Sequence, residues 1–294
     1  MRKKSIDRLQ ISVFGLWRDA EKHIDKTLKQ LEALEKKHDL SYYFYENDSE
    51  DKTPTILKKW MKDRKGKLYS EILGDEKYGN KENKTRQVTR DEKMASYRNS
   101  MIQLGMEDKV NTEWSIVFDT DTEFDDNIID DYLKRYKKDI VMMTPHIEQT
   151  VKCHMCEPKC GKLSYYDSYA LRTHENPMRS VTFSCNPFWE SHNIEDYSKG
   201  KDIEVECAFG SFAMIKTDVL LNSKWGTDGD CEHVFFAKDV RKHGKIIVCP
   251  SVKVYTKVES VDIQPDFLRW QKELLKDVWA RKTYWMSMMG NKVL

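Results

Sequence analysis

Apolar residues in this chain fall in short dense runs, and amphipathic stretches separate them. Ile11–Phe14 is one such run, which Gly15 interrupts, and it predicts a strand. From about Asp19 to Lys37, Ile24, Leu28, Leu31 and Leu34 recur at helical spacing. Ser41-Tyr42-Tyr43-Phe44-Tyr45 follows, an aromatic run suited to a buried strand, and it stops at Glu46-Asn47-Asp48-Ser49. Thr53-Pro54 starts a helix carrying Ile56, Leu57, Trp60 and Met61. Strand, helix, strand, helix is how a doubly wound sheet begins.

Lys62–Lys93 is rich in Lys, Asn and Glu, and only Leu68–Leu73 within it reads as a strand; the rest reads as surface loop. Met94, Tyr97, Met101, Ile102 and Leu104 then outline a helix that carries Arg98 and Asn99. Ser115–Phe118 is a short buried strand running directly into Asp119-Thr120-Asp121. Ile128–Tyr136 reads as a helix and Ile140–Met143 as a strand. Beyond Thr144 the periodicity breaks down, and it returns as a strand at Gly210–Ile215, a helix at Glu232–His243 and a strand at Lys245–Val254. Asp262–Met289 reads as a terminal helical segment. The expectation is one α/β domain over 1–294, an open, mostly parallel sheet flanked by helices. Its two halves are 1–143 and 144–260, and a helical tail spans 261–294.

Composition narrows the function. Fifty basic and 49 acidic residues nearly cancel, so no global field favours nucleic acid. The start, Met1–Arg8, is polar, and no stretch reaches the length of a membrane span, which makes a cytoplasmic protein the default expectation. Seven cysteines, an odd number, argue against a complete disulfide framework. Cys153, Cys156 and Cys160 cluster, but they supply only half of a zinc site. In the tail, Trp270, Trp279, Tyr284 and Trp285 with neighbouring methionines are suited to docking on the core, a weak membrane or partner contact being the alternative.

The candidate chemistry begins at Asp119 and Asp121. In an open α/β sheet ligands bind beyond the carboxyl ends of the strands, which is where this pair falls. In extended backbone the two carboxylates share a face and converge on one ion. Hard oxygen ligands select Mg²⁺ or Mn²⁺, which complete their shell with phosphate oxygens. The competing reading is a helix cap cluster with Asp125 and Asp126. Further along, Asp228-Gly229-Asp230-Cys231-Glu232-His233 gathers carboxylates at a helix start. Glu232, then Asp230, are the candidates for a base that takes an acceptor proton; capping by the helix dipole is the alternative.

Several stretches together resemble a known family. Tyr45–Thr53 (YENDSEDKT), Met94–Asn99 (MASYRN) and Tyr165–Arg172 (YYDSYALR) resemble segments of the fungal capsule-associated α-1,3-mannosyltransferases, in matching order, and Asp230–His233 followed by Gly244 resembles the late acidic helix of GT-A enzymes generally. That resemblance spans about residues 11 to 256. It implies the GT-A fold, a nucleotide-diphosphate sugar donor (UDP- or GDP-linked), Mn²⁺ or Mg²⁺, and a glycan acceptor. By position it implies that Gly15 and Arg18 approach the nucleotide, that Glu46 and Asp48 meet base or ribose, and that Arg98 meets phosphate or the acidic site. Glu46–Ser49 is equally good turn chemistry. After the last core strand the sequence reads Val254-Tyr255-Thr256-Lys257, without the His that many GT-A enzymes use as a third metal ligand. Spacing leaves inversion and retention both open, and the mannosyltransferase resemblance suggests retention. A sugar nucleotidyltransferase and a non-catalytic metal- or glycan-binding module are the alternatives; no Gly-rich phosphate loop follows the first strand to favour the former.

Overall fold

A computed structural model describes residues 8–73, 86–149, 167, 170–175, 193–227 and 231–256. All of them belong to one compact unit, Met1–Lys257. The first half is β1 (Gln10–Trp17), α1 (Ile24–Glu35), β2 (Asp39–Asn47), α2 (Thr53–Met61), β3 (Gly66–Glu71), α3 (Arg86–Glu107) and β4 (Trp114–Asp119). The second is β5 (Thr122–Phe124), α4 (Ile128–Leu133), β6 (Ile140–Gln149), α5 (Ile194–Ser198), β7 (Ile203–Val205), β8 (Phe212–Lys216), α6 (Thr217–Asn222), α7 (Glu232–Val240) and β9 (Lys245–Thr256).

The nine strands form one sheet in the order β3-β2-β1-β4-β8-β6-β9-β5, with β7 paired to β9. From β3 to β4 every neighbour is parallel. Strand β8 then enters antiparallel between β4 and β6, and β6 runs parallel to β9. Central parallel strands are covered on both faces, so they read as unbroken apolar runs rather than alternating ones. β1 and β4 are accordingly buried along nearly their whole length. Helix α1 buries Ile24, Leu28, Leu31 and Leu34, the stripe its spacing predicts.

Three expectations differ from what is observed. Gly15 does not end the first strand: β1 continues through it to Trp17, with Phe44 opposite on one side and Phe118 on the other. A Cβ there would meet the Phe118 ring at 3.0 Å and the Trp17 indole nitrogen at 3.1 Å, so the glycine makes room for two large rings. Strand β6 runs to Gln149, well past Met143, because β9 stays paired along it after a register shift at Pro145/His146. Helix α3 begins at Arg86, inside the stretch read as loop. The tail at 261–294 and the cysteines at 153, 156 and 160 lie outside the described residues.

The order of the first four strands positions the site. The chain moves outward from β1 to β2 and β3, then returns through α3 to place β4 on the other side of β1. Where strand order reverses, the connecting loops diverge and leave a crevice at the carboxyl ends. Asp119, the last residue of β4, pairs in register with Leu16 at that point.

Candidate active site

Asp119 is half-buried at the mouth of the crevice, and its N–H donates to the Ser211 carbonyl at 2.8 Å. The backbone then turns at Thr120-Asp121 and enters β5. The expected extended Asp-x-Asp segment is therefore a turn, imposed by the reversal into β5 against β9. Thr27 on α1 pins that turn by donating to the Thr120 carbonyl at 2.7 Å. Asp121 is exposed and faces solvent. Burial raises the Asp119 carboxyl above its ordinary value, Arg98 opposes that shift, and the Asp121 charge adds to it.

Arg98 reaches the crevice from α3. It is 3% exposed, and it bridges two carboxylates: Nη2 lies 3.2 Å from Asp119 Oδ1 and Nε 3.4 Å from Glu232 Oε1. Its guanidinium also lies 4.9 Å over the Phe209 ring, and its buried Nη1 has no hydrogen-bond partner among the described residues. A buried guanidinium with an unmet donor, flanked by carboxylates, suits an added acceptor such as a phosphate oxygen. The next residue, Asn99, clamps Trp225: its Nδ2 donates to the Trp225 carbonyl at 2.8 Å, and its Oδ1 accepts the Trp225 N–H at 3.0 Å. One turn of α3 thus holds both the acidic site and the segment leading to α7.

Glu232, the first residue of α7, is 5% exposed. Both of its oxygens are engaged: Oε1 faces Arg98 and the His233 Nε2 at 3.5 Å, and Oε2 accepts from Cys231 Sγ at 3.5 Å. Burial disfavours its charge, yet its pKa is lowered to about 2, with His233 and then Arg98 favouring the ionised form. His233 itself is neutral, since burial pushes it down to about 3. Its Nδ1 accepts the Trp225 indole N–H at 3.4 Å, and its ring stacks on Phe209 at 4.1 Å. Asp230 lies outside the described residues.

Asp167 also belongs to this site, although no role was read for it in the sequence. Its Oδ2 accepts the Gly210 N–H at 2.9 Å. Burial pushes its carboxyl up to about 7 against hydrogen bonds from Gly210 and Ala170, and the charges of Asp119 and Glu232 add to the rise. Phe209-Gly210-Ser211 is therefore the spine of the site. Phe209 lies under Arg98 and His233, Gly210 holds Asp167, and Ser211 holds Asp119. Gly210 and Ser211 both have positive φ, +63° and +58°, and a Cβ on Gly210 would meet Pro145 at 3.1 Å. Left-handed backbone at a non-glycine residue marks a place where packing overrides local preference. In the sequence, YYDSYALR was the visible sign of Asp167, but it sits in a stretch without periodicity.

Glu46 and Asp48 are committed to the backbone around them. Glu46 is buried; Oε1 accepts the Ser49 N–H at 3.1 Å and Oε2 accepts from the Ser70 hydroxyl. Asp48, at φ +52°, accepts the Leu73 N–H at 2.7 Å. The rest of that segment locks the loop after β1. Asp19 N–H donates to Ser49 Oγ at 3.0 Å, Ala20 N–H to Thr53 Oγ1 at 2.7 Å and Glu21 N–H to Asp51 Oδ2 at 2.8 Å. The END-S-x-D-x-T pattern thus has a structural cause: it closes two adjoining turns with side-chain oxygens. Arg18, half-buried at the end of β1, stands 3.6 Å from the Asp19 carboxylate.

Among the described residues no group of three or more His, Cys, Asp or Glu side chains stands ready for a metal. β9 ends at Thr256 opposite Thr122, the residue after Asp121, and Lys257 lies outside the described residues. Among the described residues Asp119 and Asp121 bring hard carboxylate oxygens to the end of β4, the donor type that Mg²⁺ and Mn²⁺ take together with phosphate and water.

No protein-family model and no curated protein sequence matches the chain. Solved structures do. The mannosyltransferase PcManGT from Pyrobaculum calidifontis, solved with GDP-Man and Mn²⁺, superposes with a TM-score of 0.51 at 14% identity, over 87% of this chain and 59% of that one. The chain has the GT-A fold. S. aureus TarS 1–349 gives a TM-score of 0.47 at 13% identity over 85% of this chain and 60% of its own. GalNAc-T7, solved with UDP, GalNAc and Mn²⁺, gives 0.48 at 13% over 85% and 44%. The chain spans less than two thirds of the length of each. Among the described residues no helix is long and apolar enough to cross a membrane.

Proposed function

We propose that this chain is a metal-dependent glycosyltransferase, moving a hexosyl or pentosyl group from a UDP- or GDP-linked sugar to a glycan acceptor. The observation that carries this reading is the Asp119–Asp121 pair at the switch point of a GT-A sheet, backed by a buried arginine with an unmet donor. Asp119 and Asp121 hold Mn²⁺ or Mg²⁺, which supplies charge neutralisation for the departing diphosphate. Arg98 orients Asp119 and offers its spare N–H to a phosphate oxygen. Arg18, at the end of β1, reaches toward the nucleotide. Residues 1–143 bind the donor and 144–260 the acceptor. The fungal capsule-associated mannosyltransferases are the family whose motifs support this reading in sequence.

The direct binding test is thermal unfolding with Mn²⁺ and UDP, GDP, UTP or GTP. One nucleoside diphosphate raises the melting temperature in a metal-dependent way. Stabilisation by triphosphates alone points to nucleotidyl transfer, and no response to any nucleotide removes the donor site.

A further inference from the structure

β3 is the last strand on its side of the sheet, and among the described residues only β2 pairs with it. The carbonyls of Lys65 and Glu71 accept the Tyr42 and Asp48 N–H groups at 2.9 and 3.1 Å. Backbone polar groups alternate sides along a strand, so the odd-numbered residues turn theirs to β2 and Leu68 and Ser70 turn theirs outward. Exposed edges are commonly blunted by proline, a bulge or dense charge. β3 has no proline, and its register with β2 is unbroken from Gly66 to Glu71. Just beyond it, Ile72 is 90% exposed and Leu73 50%.

The strand is also complementary to itself. Lys67, Tyr69 and Glu71 share the face that α3 covers. Lys67 Nζ lies 3.8 Å from Asp108 Oδ1, Tyr69 stacks on Tyr45, which stacks on Tyr97, and Glu71 accepts from the Tyr45 hydroxyl. Tyr69 is the open end of that row of rings, 48% exposed. A second β3 laid antiparallel about Tyr69 sets Lys67 opposite Glu71, Tyr69 opposite Tyr69 and Glu71 opposite Lys67. The same register sets Leu68 opposite Ser70 as the pairs that exchange backbone hydrogen bonds. It also lays Ile72 over Gly66, which has no side chain to block it. Sliding by two residues, the smallest step that keeps the outward groups facing, opposes Lys67 to Tyr69 or to Leu73 and leaves Tyr69 without its copy.

We propose that two copies of this chain associate through β3, antiparallel and two-fold symmetric about Tyr69, so that their sheets become one. Leu68 and Ser70 of each copy supply the central backbone hydrogen bonds. Lys67 and Glu71 fix the register by charge, and the two Tyr69 rings join the two aromatic rows. A two-fold contact of this kind is closed, so assembly stops at the dimer. None of these residues belongs to the proposed donor site, so the dimer and the transferase reading stand or fall separately.

The test is sedimentation velocity on the full chain, unaltered and as Lys67→Glu and Glu71→Lys, each alone and the two mixed. Pairing along one strand makes a small interface, so about 100 μM protein is needed. Expected is a dimer for the unaltered chain and association at least about tenfold weaker for each variant alone, where like charges meet twice. The one-to-one mixture recovers the dimer, because both charge pairs are opposite again, and that recovery also shows that both variants fold. Oxidative cross-linking reads the register. Tyr69→Cys places its Cα about 4.5 Å from that of its copy, within disulfide reach. Ile72→Cys, at the more exposed position, stands about 20 Å from its copy. Expected is a linked dimer of Tyr69→Cys above the background of the native thiols, and none of Ile72→Cys. Should a charge variant fail to fold by circular dichroism, the cross-linking pair alone decides. A monomeric unaltered chain, no recovery in a mixture of folded variants, or Ile72→Cys linking as fast as Tyr69→Cys overturns the proposal.

Discussion

Arg98 and Glu232 stand 134 residues apart in the chain and 3.4 Å apart in the fold, both buried. Removing one partner of a buried pair strands the other charge, which typically costs about 3–5 kcal/mol. Arg98→Met is accordingly expected to lower unfolding stability by roughly that amount in a urea titration. Arg98→Lys keeps the charge but not the fork that spans Asp119 and Glu232, and it should fall between the two proteins. Stability of Arg98→Met within about 0.5 kcal/mol of the original would show that the bridge contributes little.

Asp167 gives a pH signature with a definite sign. Its carboxyl is raised from 3.8 to about 7 in the fold, so between those values the unfolded chain loses its proton first and the native state is disfavoured. The loss is complete above pH 7 and absent below about 3.8. Asp167→Asn removes it, so the variant should be more stable than the original by roughly 2–4 kcal/mol at pH 8, a difference that fades to nothing near pH 4. His233, held down to about 3 by burial, imposes the opposite slope: below 6.5 the unfolded chain takes up the proton first. That slope is common to both proteins and cancels in the comparison. Equal stability at pH 8 would mean that Asp167 is not in a strained electrostatic position.

Asp121 is exposed, so Asp121→Ala should leave stability within about 0.5 kcal/mol. It should nevertheless abolish the Mn²⁺-dependent part of nucleoside diphosphate binding, read by titration calorimetry with and without chelator. Unchanged metal-dependent binding would move the ion elsewhere.

Gly210 at φ +63° with Pro145 beside it makes the spine sensitive to a single methyl. Gly210→Ala combines left-handed strain, about 1–2 kcal/mol, with a tight contact at the backbone that holds Asp167. Expected are a lower melting temperature and weaker turnover together. A variant with both properties intact would show that the spine tolerates rearrangement.

The strands and the acidic pair were legible because buried parallel strands leave unbroken apolar runs, and Ser115–Phe118 is one of them. Arg98 and Asn99 were legible as a pair, although only the fold shows why they travel together: one faces the acids and the other clamps Trp225. Glu46 and Asp48 read both as nucleotide contacts and as turn chemistry, because both uses draw on the same residue types, and their oxygens do accept hydrogen bonds from the turns around them. Asp167 escaped because its placement depends on Gly210, 43 residues away, and no local periodicity encodes that contact. Strands β5 and β7, three residues each, are too short to leave a pattern.

The most direct measurement is nucleoside diphosphate release from a panel of UDP- and GDP-sugars with Mn²⁺, run on the unaltered chain and on Asp121→Ala. The glycosyltransferase reading predicts release from one donor class by the unaltered chain, lost on chelation and lost in the variant. Release that survives both chelation and Asp121→Ala would contradict the metal-dependent site at the end of β4, and no release from any donor would contradict the transferase itself.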